Sequence, residues 1–140
     1  MRVADLMTPK VFTLLAEKKL FVAQQVMDWA HIRHIPVVDD HGRLVGLVSH
    51  RDILRASISA LYSSISKMER SQHLAGIAVR DVMQTHVHTA TPDATVQEAA
   101  KLMRHEKIGC LPVVNAERKL LGIITEHDLL GLVEGLPSVG

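Results

Sequence analysis

The sequence predicts an α/β fold in which two tandem copies of one β-α-β-β-α unit pack with pseudo-two-fold symmetry. Three observations predict it. First, Val3-Ala4-Asp5-Leu6-Met7 returns as Val79-Arg80-Asp81-Val82-Met83, 76 residues later. The same offset joins Pro36-Val37-Val38 to Pro112-Val113-Val114, Gly46 to Gly122 and Asp52 to Asp128, with no gap from Val3 to Leu54. Second, each copy carries apolar residues at helical spacing, followed by two short apolar runs of strand length. Third, a copy of roughly 55 residues buries too little surface to be comfortable alone, so two copies sharing one core complete the domain.

The elements follow in order. Val11–Thr13 is the expected first strand. Leu20, Ala23, Val26, Met27 and Ala30 recur at helical spacing, as do Val96, Ala99, Ala100 and Met103. Asp93 and Thr95, after Pro92, are candidate starts for the second of these helices. IPVVDD and LPVVNA read as strands, with Pro36 and Pro112 expected at the first residue, where a missing N–H is tolerated. A polar turn, Asp40-His41-Gly42-Arg43, leads to RLVGLVS, and KLLGIIT is its counterpart; both read as strands buried on two faces. Ser49 and Thr125 then open a closing helix. The repeats are assigned to residues 1–56 and 77–136, with a helical linker at 57–76 and a C-terminal tail at 137–140. In the linker region Leu54, Ile58, Leu61, Ile65 and Met68 form a stripe of heptad spacing. It reads either as a helix packing on its own domain or as a self-association surface.

Composition narrows the function. Hydrophobic residues make up 47% of the 140 residues and aromatics 3%, so the core is aliphatic. A charged fraction of 22% argues against disorder. A net charge of +1 gives no electrostatic footprint for nucleic acid. No stretch approaches the roughly 20 apolar residues of a membrane span, and MRVADLMTPK lacks the apolar run of a secretory signal. The single Cys110 excludes an intrachain disulfide and fits a reducing cytoplasm.

The phrases GLVSHRD (46–52) and GIITEHD (122–128) carry the chemistry. Asp52 and Asp128 offer paired acceptor oxygens, which suit the two neighbouring hydroxyls of a ribose. Ser49 and Thr125 sit three residues earlier at a helix start, where N–H groups and the dipole attract phosphate. Gly46 and Gly122 let a ligand or the other unit approach the backbone. The same phrases also fit a capping box, in which hydroxyl and acid close the helix terminus. That box prefers Glu or Gln at the position where both copies carry Asp, and a residue can cap when the site is empty and bind when it is filled. Arg51 and Arg33 are candidate phosphate ligands, or alternatively solvated surface. His50 and His127 are candidate phosphate donors. Glu126, beside His127, opposes phosphate. The cations cluster in the first copy, so two nonequivalent sites are expected, with the Asp52 site better suited to polyphosphate. His86-x-His88 supplies two imidazoles, too few for a zinc site. Cys110 and the two helix methionines, Met27 and Met103, read as packing. Nothing unites a base, a nucleophile and an oxyanion site, so no catalytic residue and no metal site are assigned.

Together, V-x-D-x-M, V-x-T, h-P-V-V and L-x-G-h-h-[ST]-x-x-D (h aliphatic), in order and twice, resemble the cystathionine β-synthase (CBS) domain, a duplicated nucleotide-sensing module. The resemblance covers nearly the whole chain except the linker and GLPSVG. It implies a flat, disc-like pair of repeats with adenosyl ligands in clefts between them, and discs that pair into homodimers. It implies that Asp52 and Asp128 hold ribose. Val11, Thr13, Val87 and Thr89, with Ile35, Pro36, Leu111 and Pro112, would line the adenine pockets, although plain strand packing explains the Val and Thr positions equally well. The implied function is non-catalytic sensing of AMP, ADP, ATP or a related adenosyl ligand and transmission to an effector protein, with no room in this chain for an enzyme or transporter. The alternative is an assembly module with vestigial clefts, dimerising through its helices. No cofactor is obligatory, and magnesium would enter only with a polyphosphate. Neither nucleic acid nor membrane is expected as a partner.

Overall fold

The computed structural model describes residues 1–62 and 67–136, the side chains at 58–62, 67, 70 and 71 excepted. Its elements are α1 (Val3–Leu6), β1 (Leu14–Leu15), α2 (Leu20–Ala30), β2 (His34–Val38), β3 (Leu44–Ser49), α3 (His50–Tyr62), α4 (Lys67–Ala75), a 3-10 turn (Val79–Asp81), α5 (Val96–Glu106), β4 (Cys110–Val114), β5 (Leu120–Thr125) and α6 (Glu126–Glu134). The chain forms two compact units, one from Phe12–Val87 and the other from Met1–Val11 with His88–Gly140.

In the 12–87 unit, β1 pairs parallel with β2 (Leu14 opposite Val37), and β2 pairs antiparallel with β3 from His34–Ser49 to Val38–Leu44. Leu14, Leu20, Ala23, Met27, Ile35, Val37, Val48, Ile53, Leu74 and Val79 form its aliphatic core. The other unit repeats the plan. β4 pairs antiparallel with β5 (Cys110 opposite Thr125), and a single parallel bridge, Ala90 to Val113, stands where β1 stood. Val3, Ala90, Ala99, Met103, Leu111, Val113 and Ile124 form that core.

The unit of duplication and the unit of packing divide the chain differently. Val3 opens the first repeat but is fully buried with Leu111 and Ile124 of the second. Val79 opens the second repeat but is fully buried with Ile35 and Val48 of the first. Backbone bonds fix the exchange. Thr8 and Ile123 bond each other in both directions (2.8 and 3.0 Å), and so do Gln84 and Leu47 (2.9 and 3.0 Å).

Local chemistry accounts for the element ends. Thr95 caps α5: its Oγ1 accepts from Glu98 N at 3.1 Å, and Glu98 Oε2 accepts from Thr95 N at 3.2 Å. α2 and α5 both end on a left-handed residue, His31 and Lys107, each at φ 55°. In the β2–β3 turn, Asp39 Oδ1 accepts from His41 N and Arg43 N at 2.9 Å each, and Gly42 supplies the positive φ of 77°. Asn115 does the same for Glu117 N and Lys119 N in the β4–β5 turn.

Three expectations change. The first strand lies at Leu14–Leu15 instead of Val11–Thr13, because Leu14 is the residue that enters the core opposite Val37 while Phe12 and Thr13 are exposed. Pro36 and Pro112 are third in their strands, not first. The Pro112 carbonyl accepts from Ala90 N (3.0 Å), so its nitrogen faces away from β5 and the ladder needs no N–H there. Val45 is exposed, so β3 is buried on both faces only over Gly46–Val48. In the linker region α3 and α4 are helical on either side of residues 63–66, which lie outside the described residues, and α4 packs on α2 and α3 with Leu74 buried. Of the linker stripe, Leu54 and Met68 are exposed, the side chains of Ile58 and Leu61 are among those excepted, and Ile65 lies outside the described residues, as does the 137–140 tail.

Candidate functional site

The two GLVSHRD-type phrases form the strand-to-helix junctions β3–α3 and β5–α6. In the first, Ser49 N and Ser49 Oγ both donate to Asp52 Oδ2, at 2.8 and 2.9 Å, and Asp52 N donates back to Ser49 Oγ at 3.1 Å. In the second, Thr125 N and Oγ1 donate to Asp128 Oδ2 at 2.9 and 3.2 Å, and Asp128 N donates to Thr125 Oγ1 at 3.4 Å. The capping box is therefore formed in both copies with Asp as its acid. Asp fits because one oxygen serves the backbone N–H and the hydroxyl together, which keeps the shorter side chain within reach.

The cap uses one oxygen of each carboxylate. Asp52 Oδ1 meets Arg55 Nη1 at 3.8 Å, an ion-pair distance too long for a hydrogen bond. Asp128 Oδ1 makes no hydrogen bond among the described residues. Asp52 is 5% exposed and is the buried charged residue of the described chain, whereas Asp128 is half-buried. Two hydrogen bonds, from Ser49 N and Ser49 Oγ, offset the desolvation of the Asp52 carboxylate. An unfilled acceptor next to them is a place for a donor from outside the chain.

The helix starts are less open to anions than the sequence suggested. His50 N donates to the Arg33 carbonyl (2.8 Å) and Glu126 N to the Gly109 carbonyl (3.0 Å). With the cap bonds in place, Arg51 N and His127 N remain without an acceptor among the described residues. Arg33, Arg51 and His127 are exposed, and His50 is half-buried. The Arg33–His50 bond places both residues of that pair at the Asp52 junction.

The adenine-pocket candidates separate into two groups. Thr13 is exposed; Val11, Val87 and Thr89 are half-buried. Val11 and Thr13 fall on opposite sides of the unit boundary, as do Val87 and Thr89. Ile35 and Leu111 are fully buried in their cores, and Pro36 and Pro112 are buried beside them, so the side chains of Ile35 and Leu111 are committed to packing.

Gly46 and Gly122 serve the chain itself. A Cβ on Gly46 would meet Met83 Sδ and the Gln84 carbonyl; one on Gly122 would meet the Thr8 carbonyl and Met7 Sδ. Sequence reasoning missed these methionine partners, and it missed Arg55, whose signal was a cation three residues after Asp52 on one helix face.

Cys110 is buried, and burial, followed by the nearby Glu126 carboxylate, pushes its thiol up to about 12. It is a protonated packing residue rather than a nucleophile. His88 Nε2 lies 3.6 Å from Glu106 Oε2. Among the described residues no helix is long and apolar enough to cross a membrane.

Comparison with known proteins agrees with this architecture. The CBS domain family model matches residues 3–59 and again 79–135. A CBS domain-containing protein of Dictyostelium discoideum is 34% identical over 131 residues, covering 94% of this chain and 90% of that protein. Against homoserine O-acetyltransferase of Methanococcoides burtonii the identity is 37% over 94% of this chain, but the chain spans only 24% of that enzyme's length. Among solved structures, the CBS domain pair of protein MJ0100, in complex with 5′-methylthioadenosine and S-adenosyl-L-methionine, superposes with a TM-score of 0.82 at 27% identity, covering 96% of this chain and 97% of that one. CBSX2 in complex with AMP superposes with a TM-score of 0.79 at 29% identity, covering 95% and 96%. Two family matches in tandem, over the repeats whose paired valines, glycines and aspartates organise both cores and both junctions, establish that the chain belongs to the CBS domain family as a CBS domain pair.

Proposed function

We propose that this CBS pair is a non-catalytic regulatory module that binds adenine nucleotides or related adenosyl compounds and passes occupancy to an effector protein. One observation carries the reading: in both repeats the cap leaves one oxygen of its aspartate, buried at Asp52 and half-buried at Asp128, without a hydrogen-bond donor among the described residues. A ribose diol supplies two donors to a carboxylate so placed. The AMP complex of CBSX2 and the 5′-methylthioadenosine and S-adenosyl-L-methionine complex of MJ0100 support the ligand class. Arg33 and Arg51, with His50, would receive phosphate at the Asp52 junction, and Ser49 and Thr125 would add hydroxyls. Magnesium would accompany a polyphosphate alone, and the expected setting is cytoplasmic.

A panel of AMP, ADP, ATP, 5′-methylthioadenosine and S-adenosyl-L-methionine in a thermal-shift assay tests the proposal. A ligand at 100 times its dissociation constant stabilises the fold by about 2.7 kcal/mol. No shift with any of them, and no calorimetric heat, would reject it.

A second reading, assembly through helices, is favoured by α6, where Leu130, Val133 and Leu136 are exposed along and just beyond the helix. Leu130 and Leu54 are equivalent in the two repeats, and both are exposed. We propose a homodimer on this basis. Sedimentation of the wild type against Leu130→Glu/Val133→Glu tests it: a dimer that becomes a monomer supports it, and an unchanged mass opposes it.

A further inference from the structure

We infer that the two junctions sort adenosyl ligands by charge: the Asp52 junction takes anionic nucleotides, and the Asp128 junction takes uncharged or cationic adenosyl compounds. The inference rests on the ribose reading above and adds the ligand class of each site.

Five positions around the first aspartate, Arg33, His34, His50, Arg51 and Arg55, correspond at the 76-residue offset to Gly109, Cys110, Glu126, His127 and Gly131. With histidines neutral, the first set carries three positive charges and the second carries one negative charge. The structure places these positions at the junctions themselves. The carbonyl of residue 33 or 109 accepts from the first N–H of α3 or α6. His34 lies opposite Ser49 in its ladder, and Cys110 lies opposite Thr125. Arg55 Nη1 stands 3.8 Å from Asp52 Oδ1. Gly131, its counterpart, has no side chain to bring a cation to Asp128 Oδ1. Glu126 is near enough to Cys110 for its carboxylate to oppose ionisation of the thiol.

Two consequences follow. At the Asp52 junction guanidinium groups offer a phosphate bidentate, charge-assisted bonds, while Arg55 draws on the oxygen that a diol would use. Phosphate contributes more there and the diol less. At the Asp128 junction the carboxylate is free to take a diol, two carboxylates repel a phosphate chain, and an adenosyl sulfonium or thioether meets no such penalty. Position 131 is the selector that can be transplanted: a Cβ there meets nothing within 4 Å, so a side chain can leave the backbone without a clash.

Calorimetry on the whole chain tests this with ATP, 5′-methylthioadenosine and S-adenosyl-L-methionine against Asp52→Asn, Asp128→Asn and Asp52→Asn/Gly131→Arg. Asp128→Asn should weaken the thioether and sulfonium ligands by about tenfold or more and spare ATP, because a charged hydrogen-bond acceptor is lost. Asp52→Asn should do the reverse. Adding Gly131→Arg should move the surviving site's preference toward ATP by about tenfold. If each aspartate variant weakens all three ligands equally, or Gly131→Arg leaves the preference where it was, charge sorting is wrong while ribose binding stands. If neither aspartate variant weakens any ligand, the ribose reading itself falls.

Discussion

The sulfur of Met83 lies over Gly46, so close that a Cβ on that glycine would stand 2.5 Å from it, with the Gln84 carbonyl at 3.0 Å. Met83 opens one repeat and Gly46 belongs to the other. The same pairing recurs with Met7 over Gly122, at 2.9 Å from the notional Cβ, and the Thr8 carbonyl at 2.7 Å. The V-x-D-x-M segments and the G-h-h-[ST] strands are therefore two halves of one contact, and neither side's sequence explains itself alone.

Gly122→Ala is expected to destabilise more than Gly46→Ala. At Gly122 the nearest obstacle is a backbone carbonyl held in a two-way bond with Ile123, whereas at Gly46 it is the end of a flexible side chain. Overpacking of this kind costs about 1–3 kcal/mol. Met83→Ala should recover part of the loss in Gly46→Ala, while Met7→Ala should recover little in Gly122→Ala. Urea denaturation of the two double-mutant cycles checks both statements.

Variants of Asp52 and Asp128 should separate capping from the proposed ligand binding. In Asp52→Asn the amide oxygen can keep accepting from Ser49, so stability should fall by less than in Asp52→Ala, which keeps the bond from residue 52 N to Ser49 Oγ but loses both bonds to Oδ2 and about 1–2 kcal/mol. Ligand affinity should fall in both, by about tenfold to a hundredfold, because the amide presents a donor to the diol. Paired thermal melts and titrations on the two variants supply the comparison; stability loss without affinity loss would leave the aspartates as caps alone.

Cys110 makes the fold alkali-sensitive. Its thiol has an ordinary value of 9.0 and is pushed up to about 12 in the folded chain by burial and Glu126. A raised folded value means the unfolded chain loses its proton first. The contribution is complete below pH about 9 and shrinks by about 1.4 kcal/mol per pH unit as pH rises toward 12. Cys110→Ala should remove that part of the slope, read as the difference between the two unfolding curves from pH 8 to 11. Parallel curves would mean the thiol ionises freely in the folded state.

Two helix ends can be improved. His31 and Lys107 close α2 and α5 in the left-handed region, where a side chain is unfavourable and glycine is not. Lys107→Gly and His31→Gly should each stabilise by about 1 kcal/mol, seen as a higher midpoint in denaturant with an unchanged slope.

Much of this was legible in the sequence because duplication doubles every signal. Helical spacing located α2 and α5, and of the two candidate starts, Asp93 and Thr95, the second is the N-cap of α5. The h-P-V-V and G-h-h-[ST] runs located four strands. The exchange of N-terminal segments was not legible, since hydrophobicity says that Val3 and Val79 are buried but not against which sheet. The first strand was misplaced by three residues because V-x-T has the β-branched composition of a strand, while tertiary pairing selected Leu14. At the site, the Ser49–Asp52 and Thr125–Asp128 phrases left capping and binding open. The structure shows the cap formed and one oxygen spared, a distinction that only geometry can make. Arg55 escaped notice because an exposed arginine on a helix is ordinary until its distance to a buried carboxylate is known.

The most direct measurement compares AMP with its 2′,3′-dideoxy analogue on the wild type and on Asp52→Asn/Asp128→Asn by calorimetry. If the carboxylates hold the sugar hydroxyls, removing those hydroxyls should weaken binding by about tenfold or more in the wild type and change little in the double variant. An equal loss in both proteins, or none in the wild type, would contradict the account.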